Sequence, residues 1–202
     1  MIGRKHHNNS TNILRGRAVL VLLVLVWSCT QDPEIPEIVM LKSNQALTKN
    51  NRIQKLDGRP YFGWIVSYHP SGQLQQKTGY LNGRKEGTST AWYSNGSLQF
   101  QRFYQVGEKE GRHLGWWPKG QKKFEYLFKD GVHHGELKVW YDNGQLFKYY
   151  HFESGHESGS QRRWHANGKV LANYVVVDGR RFGLIGLKKC RPVKNKEVAS
   201  LN

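Results

Sequence analysis

The sequence has few cysteines and no long apolar run. Only Cys29 and Cys190 are cysteines among 202 residues, so at most one disulfide can form. The uncharged apolar run at residues 18–27 has ten residues, about half of the ~20 that a membrane-spanning helix requires. A multi-span membrane protein is therefore excluded. A composition of 38% hydrophobic and 23% charged residues likewise excludes a disordered tail, so we expect one folded domain.

Motifs of catalytic and nucleotide-binding sites are absent from the sequence. No serine, cysteine or threonine sits in a nucleophile elbow, and no serine, histidine and acid trio is recognisable. No glycine-rich loop ends in Gly-Lys-Ser/Thr. The acids Glu86, Glu110 and Glu157 fall in predicted turns, where solvated charge is the default. We therefore predict that the chain is not an enzyme and uses no cofactor.

The histidines give no strong signal for a metal site. His133 and His134 are adjacent, and adjacent strand residues point to opposite faces, so the pair cannot chelate one ion. His151, Glu153 and His156 lie within one turn, but the cluster lacks a cysteine or a fourth ligand at a recognised spacing. No metal site is predicted.

The first 28 residues have the pattern of a secretory signal peptide. Four basic residues precede the apolar run, and a small residue precedes a potential cleavage site. The letters VWSC at residues 26–29 resemble the lipobox of bacterial lipoproteins, although Trp27 departs from it. This resemblance implies a lipidated Cys29 and a lipoprotein of the cell envelope, anchored in a membrane and facing outward from the cytoplasm. The alternatives are an uncleaved signal anchor, or an ordinary signal peptide in which Cys29 has no role.

Positive charge dominates the chain. Lys and Arg number 31 against 15 Asp and Glu, which gives a formal net charge of +16. Residues 1–28 hold four basic and no acidic residues, so the remainder carries +12. Such a surface favours anionic partners, and for an exported chain these are the anions of the envelope and not nucleic acid. A solvated basic surface without a dedicated ligand is the alternative.

Glycines recur every 24 residues, and aromatic residues keep the same period. One glycine series runs from Gly63 to Gly183, a second from Gly72 to Gly168, and a third from Gly83 to Gly179. The aromatic series are Tyr68, Trp92, Trp116, Trp140 and Trp164, and Tyr80, Tyr104, Phe128 and Phe152, with Val176 closing the second row. A fixed period of this length is typical of a repeat architecture.

Each repeat is predicted to be a β-hairpin. Asn95-Gly96, Asn143-Gly144 and Asn167-Gly168 are typical of two-residue type I′ turns, in which both central residues take positive φ. Between hairpins, in segments such as LNGRKEG, the first glycine is expected to reverse the chain. The second is expected to let neighbouring backbones approach closely.

From Gly58 to Gly183 the chain resembles the bacterial MORN-repeat variant, whose unit looks like dGkkeGxwxxyyxNGqlxxexxyxdG. The resemblance implies an all-β fold, an elongated antiparallel meander of about five stacked 24-residue hairpins. Domains are expected at 1–28 (signal peptide), 29–56 (tether and an N-terminal cap that includes the IVML segment), 57–187 (repeats) and 188–202 (basic tail). The tail either lies on an anionic surface or is a solvated end.

Departures from the repeat unit mark the candidate binding surface. Ser71 and Lys119 replace the turn asparagine, and Lys119 in a positive-φ position would be strained unless the turn shifts. Lys122 replaces an apolar residue, and His165 replaces a tyrosine. The candidate surface residues are Trp116, Trp117, Lys119, Lys122, Lys123, Trp164 and His165.

The resemblance favours a binding function. Because MORN repeats are associated with membrane and protein association, we expect a membrane-anchored envelope scaffold that binds a protein partner or an anionic membrane surface. Bacterial proteins with this repeat variant are also described as antitoxins, so an antitoxin component of a toxin–antitoxin system is the alternative.

Overall fold

The computed structural model describes residues 34–186, which form β-strands and no helix. The predicted signal peptide, Cys29 and the basic tail lie outside these residues. Within residues 34–186 no helix is long and apolar enough to cross a membrane. The first eight strands are β1 (Val39–Leu41), β2 (Leu47–Asn50), β3 (Ile53–Leu56), β4 (Arg59–Pro60), β5 (Gly63–Tyr68), β6 (Leu74–Leu81), β7 (Arg84–Trp92) and β8 (Leu98–Gln105). The others are β9 (Glu108–Trp116), β10 (Lys122–Lys129), β11 (Val132–Trp140), β12 (Leu146–Glu153), β13 (His156–Glu157), β14 (Gly159–Trp164), β15 (Val170–Val177) and β16 (Arg180–Leu184).

One large sheet contains all the repeats. Its strands follow the order β1-β5-β6-β7-β8-β9-β10-β11-β12-β14-β15-β16, and β13 pairs with β12. From β5 onward every pairing is antiparallel, whereas β1 pairs with β5 in parallel. A second sheet has the order β2-β3-β4. The predicted all-β antiparallel meander is confirmed.

The turns at the Asn95-Gly96 positions are not of the predicted type. Gly96 has φ 81°, but Asn95 is not at positive φ. The Gly96 N–H donates to the Tyr93 carbonyl, and the Tyr93 N–H donates to the Ser97 carbonyl, both at 2.9 Å. This is a three-residue loop, in which a type I turn is followed by a left-handed glycine. The type I′ prediction at Asn95, Asn143 and Asn167 is therefore wrong.

The asparagine side chain explains the different turn. The Ser97 N–H donates to Asn95 Oδ1 at 3.0 Å, which closes a local side-chain turn without positive φ. Lys119 occupies the same place without positive φ, so the strain considered for it does not arise.

Type I′ turns occur instead at the links between hairpins. Asn82 and Gly83 have φ of 48° and 71°, and Asp130 and Gly131 have φ of 51° and 81°. Even Val106, a β-branched residue, takes φ 49° in such a turn. Close backbone approach, the role expected of the glycine at the head of the next strand, is confirmed at Gly183, where an added Cβ would lie 2.8 Å from the Asn173 carbonyl oxygen. At Gly111 an added Cβ would meet nothing within 4 Å, so its positive φ of 62° is what requires glycine there.

The N-terminal segment is folded where the structure describes it. Of the predicted tether and cap at 29–56, residues 34–56 are described, and they contain β1, β2 and β3. The Trp64 N–H donates to the Ile38 carbonyl at 2.7 Å, and the Gln54 N–H donates to the Gly83 carbonyl at 2.8 Å. The tether interpretation therefore does not apply to residues 39–56, because they pair with the repeats or with one another.

Part of the core is a row of rings along the large sheet. Tyr104, His113 and Phe128 are buried, and His113 is only 2% exposed. His113 lies 5.6 Å from Tyr104 and 4.6 Å from Phe128, measured between ring centroids. His133 continues the row at 4.3 Å from Phe128 and 5.2 Å from Phe152. Aromatic residues of successive repeats thus pack through the histidines between them.

Candidate binding surfaces of the repeat sheet

The hairpin edge consists of the loops at 69–73, 93–97, 117–121, 141–145 and 165–169, each closed by a backbone hydrogen bond. At this edge the first side chain of a loop reaches the next repeat. The Tyr93 hydroxyl donates to the Trp116 carbonyl at 2.9 Å, and the Tyr141 hydroxyl donates to the Trp164 carbonyl at 3.1 Å. His69 makes the same contact with the Trp92 carbonyl at 3.0 Å. Each pair is separated by 23 residues, so these bonds join neighbouring hairpins.

The predicted surface residues lie on this edge, and several of them have structural roles. Trp117 Nε1 donates to the Trp140 carbonyl at 3.3 Å, which is the same link between repeats. The Trp117 ring also lies 4.2 Å from Lys123 Nζ. Lys122 Nζ donates to Glu125 at 2.9 Å. Trp117, Lys122 and Lys123 are therefore engaged within the chain.

The structure divides the predicted surface into two groups. Trp116, Trp117 and the three lysines belong to the β9–β10 hairpin, whereas Trp164 and His165 belong to the β14–β15 hairpin. The β11–β12 hairpin lies between them. Lys119 and His165 are exposed, and the tryptophans are half-buried. Their role in binding stays a prediction, but they do not form one continuous surface.

The turn edge consists of the type I′ turns at 82–83, 106–107, 130–131, 154–155 and 178–179, and here backbone atoms join the repeats. The Gly107 N–H donates to the Lys85 carbonyl at 2.8 Å. The Gly131 N–H donates to the Lys109 carbonyl at 3.0 Å. These links leave the side chains of Lys85 and Lys109 free for other contacts.

Two acids predicted to be solvated stabilise this edge. Glu86 is 7% exposed, and its Oε2 accepts the Val106 N–H at 2.7 Å. Glu110 Oε2 accepts the Asp130 N–H at 2.9 Å. Glu157 is also engaged, since it pairs with Arg181 at 2.9 Å. Solvated charge is therefore the wrong interpretation of these acids. Glu86 and Glu110 accept backbone N–H groups of the turns, and Glu157 forms an ion pair with Arg181.

Lysines at one repeat position cover the aromatic row beside the turn edge. Lys85 Nζ lies 4.7 Å from the Tyr104 ring, and Lys109 Nζ lies 4.7 Å from the Phe128 ring. Residues 24 and 48 positions after Lys109 are His133 and Glu157, so the column of basic residues is interrupted there and resumes only at Arg181. The cations are thus concentrated near the N-terminal end of the repeats.

The β2–β3 hairpin adds further cations at the same place. Gln54 is bonded to the Gly83 turn, and Lys49 and Arg52 lie on the same hairpin. Between this hairpin and the repeats is a cavity of ≈ 530 Å³. Its charged and aromatic lining, here named the basic groove, comprises Lys49, Arg52, Arg84, Lys85, Lys109, Tyr80, Tyr104 and Glu108. An adjoining cavity of ≈ 340 Å³ shares Lys49, Tyr80 and Lys85 and adds Lys42.

The positive charge of the basic groove is largely uncompensated. Glu108 pairs loosely with Arg52, at 3.6 Å between exposed side chains. Within residues 34–186, no carboxylate lies within ion-pair distance of Lys49, Lys85 or Lys109. Burial lowers the pKa of Lys85, and the charges of Lys49, Arg102 and Lys42 lower it further. Such a site favours an anion, which would relieve the repulsion among these cations.

Tyr80 supplies a neutral donor beside these cations. Burial, together with the neighbouring Tyr104, raises the pKa of Tyr80, so its hydroxyl stays protonated. Among residues 34–186, no group of three or more His, Cys, Asp or Glu side chains could hold a metal ion. The arrangement suits binding of an anion through cations and hydroxyl donors.

The basic groove was not predicted from the sequence. Lys49 and Arg52 precede the repeats, so no period connects them to Lys85 and Lys109. One signal was available: residues 85, 109 and 181 are all basic and share one repeat position.

Three segments of the chain match the family model described as the MORN repeat variant, at residues 66–82, 85–105 and 134–154. The chain therefore contains MORN-type repeats, and such repeats suggest a binding scaffold. The unmatched hairpins β9–β10 and β14–β15 carry the predicted surface residues, and both contain departures from the repeat unit. No curated protein sequence matches the chain.

Proposed function

We propose that this chain is a non-enzymatic scaffold of the cell envelope, anchored to a membrane through a lipidated Cys29. Its basic groove is the surface that binds a protein partner or an anionic membrane surface. The proposal rests on a contrast between side chains that bond to a neighbouring repeat and side chains that have no acidic partner. Periodic residues such as Tyr93 and Tyr141 join repeats, whereas Lys85 and Lys109 lie over rings without an acidic partner.

Charge and sequence context support an anionic partner in the envelope. Outside the first 28 residues the chain carries a formal +12, and a basic surface accelerates and strengthens association with anions. The lipobox-like VWSC segment supports anchoring, since a lipidated cysteine carries more than one acyl chain.

Fractionation of cells tests the anchor directly. The wild-type chain is expected in the membrane fraction, and release by detergent but not by high salt would identify a lipid anchor. Cys29→Ala is expected to move the chain to a soluble or salt-extractable fraction. Recovery of the wild-type chain in the cytoplasm would contradict the proposal.

Affinity capture from detergent-solubilised membranes tests the partner. The double variant Lys49→Gln/Lys85→Gln is expected to lose the partner. The control variant Lys169→Gln, at an exposed position, is expected to retain it. The antitoxin alternative predicts instead a tightly bound toxic protein, and cells that lose this chain should then be poisoned by that protein.

A further inference from the structure

The basic groove occurs at one place in the described part of the sheet. It requires lysines at positions 85 and 109 of the repeats and the β2–β3 hairpin that brings Lys49 beside them. Farther along, His133 and Glu157 take the lysine positions, and Glu157 is paired with Arg181. The groove is thus a local feature of this chain and not a property of each repeat.

The groove contains more cations than a single carboxylate can pair with. Lys49, Arg52, Arg84, Lys85 and Lys109 line it, and Glu108 is the one acid among its lining residues. A carboxylate offers one charge and two oxygens. A phosphate monoester carries about −1.5 to −2 charge and three acceptor oxygens, so it can bond several of these cations at once.

The cavity is larger than a phosphate group. Its volume of ≈ 530 Å³ is within the range of ligand pockets, roughly 300–1,000 Å³. Tyr104 is 7% exposed and Tyr80 is half-buried, so their rings form a fixed wall against which the rest of a ligand can pack.

We propose that the basic groove is a binding site for a phosphate or diphosphate group, held by Lys49, Lys85 and Lys109 beside Tyr80 and Tyr104. The group belongs to a soluble phosphorylated compound or to a phospholipid head group, and the chemistry of recognition is the same for both. The inference rests on the proposed function, because it uses the same groove.

The test is calorimetric titration of the full chain, purified in mild detergent, with pyrophosphate at low salt. Saturable binding is expected, and Lys49→Gln and Lys85→Gln should each weaken it about tenfold or more, since hydrogen bonds to charged groups are the strong ones. Lys169→Gln removes the same charge from an exposed loop and should change affinity less than about twofold. Lys49 is exposed, so its variant remains informative even if Lys85→Gln impairs folding.

Vesicles with and without phosphatidic acid form the second arm of the test. Binding of pyrophosphate indicates a soluble source, and binding only to phosphatidic acid vesicles indicates a head group; either result supports the site if Lys49→Gln removes it. Binding of neither probe overturns the proposal, as does an equal loss in Lys169→Gln. Tighter binding of an acidic peptide than of pyrophosphate also overturns it. These readouts do not depend on Cys29 anchoring, so failure of one proposal leaves the other measurable.

Discussion

The hairpin edge and the turn edge of the sheet join neighbouring repeats with different atoms. At the hairpin edge side chains such as Tyr93 and Tyr141 donate to carbonyls 23 residues later. At the turn edge the backbone of Gly107 and Gly131 makes the connection. Glu86 and Glu110 add side-chain bonds there, but the side chains of Lys85 and Lys109 remain available for other contacts. The comparison indicates that a residue recurring in each repeat is structural where its side chain bridges two repeats. It is available for binding where backbone atoms form the bridge instead.

The largest expected effect comes from the aromatic row beside the turn edge. Phe128 is 5% exposed and packs against His113 and His133, so Phe128→Ala should lower the free energy of unfolding by about 3–5 kcal/mol. Urea denaturation followed by tryptophan fluorescence measures this. The control Phe103→Ala removes a ring that is 37% exposed and should cost much less. Equal losses would show that the row is not the core.

The second prediction concerns the buried carboxylate of the turn edge. Glu86→Ala leaves the Val106 N–H without its acceptor, in a turn where Val106 already has positive φ. The free energy of unfolding should fall by about 1–3 kcal/mol. Glu108→Ala, at an exposed position, is the matched control and should be nearly neutral. A neutral Glu86→Ala would contradict the role of this carboxylate.

The third prediction is a pH dependence of stability. Burial lowers the pKa of His113, and Arg102 and Lys109 lower it further against a backbone hydrogen bond that raises it. Burial and then Lys109 lower the pKa of His133. Because the unfolded chain binds these protons more readily, stability should be complete above the unfolded pKa of about 6.5 and should fall as the pH drops below it.

Thermal unfolding across this pH range measures the effect. His133→Phe keeps a ring beside Phe128 and Phe152 but removes one titrating group, so the loss of stability at acid pH should shrink. An unchanged pH profile in this variant would show that His133 does not contribute.

A smaller effect is expected for a single bond at the hairpin edge. Tyr141→Phe removes the hydroxyl that donates to the Trp164 carbonyl, and should lower the free energy of unfolding by about 0.5–1.5 kcal/mol. Tyr68→Phe alters a side chain that is 50% exposed and serves as the control in the same denaturation experiment. If both variants were neutral, the bonds along this edge would not hold repeats together.

The smallest expected effect is a gain of stability. Asn95 accepts the Ser97 N–H and donates to the Pro118 carbonyl at 3.2 Å, and Lys119 cannot accept at the equivalent place. Lys119→Asn should therefore raise the free energy of unfolding by about 0.5–1 kcal/mol. Lys129→Asn, at the exposed end of β10, should give no gain. A loss in Lys119→Asn would mean that the irregular loop prefers lysine.

The sequence predicts the repeat and the strands but not the two turn types. Asn82-Gly83 and Asn95-Gly96 are the same dipeptide, yet the first is a type I′ turn and the second belongs to a three-residue loop. The difference depends on the register of the flanking strands. Ala91 lies opposite Phe100 but Trp92 lies opposite Leu98, so the register shifts by one residue just before the Asn95-Gly96 loop. Pairing of strands is a tertiary property that a dipeptide does not encode.

The predicted binding residues show the same limit. Trp117 is a predicted binding residue because it lies in the same hairpin as the departures Lys119 and Lys122, but its indole makes the same link between repeats that Tyr93 and Tyr141 make. The basic groove escaped prediction because Lys49 meets Lys85 only after the β2–β3 hairpin docks on the Gly83 turn. Proximity across the fold, and not spacing along the chain, creates that surface.

The most direct test of the difference between the two edges compares two variants with the same loss of charge. Pyrophosphate is titrated into Lys49→Gln, altered in the basic groove, and into Lys123→Gln, altered beside Trp117 on the hairpin edge. Affinity should fall about tenfold or more in Lys49→Gln and stay within about twofold of wild type in Lys123→Gln. A greater loss in Lys123→Gln than in Lys49→Gln would contradict the assignment of binding to the turn edge.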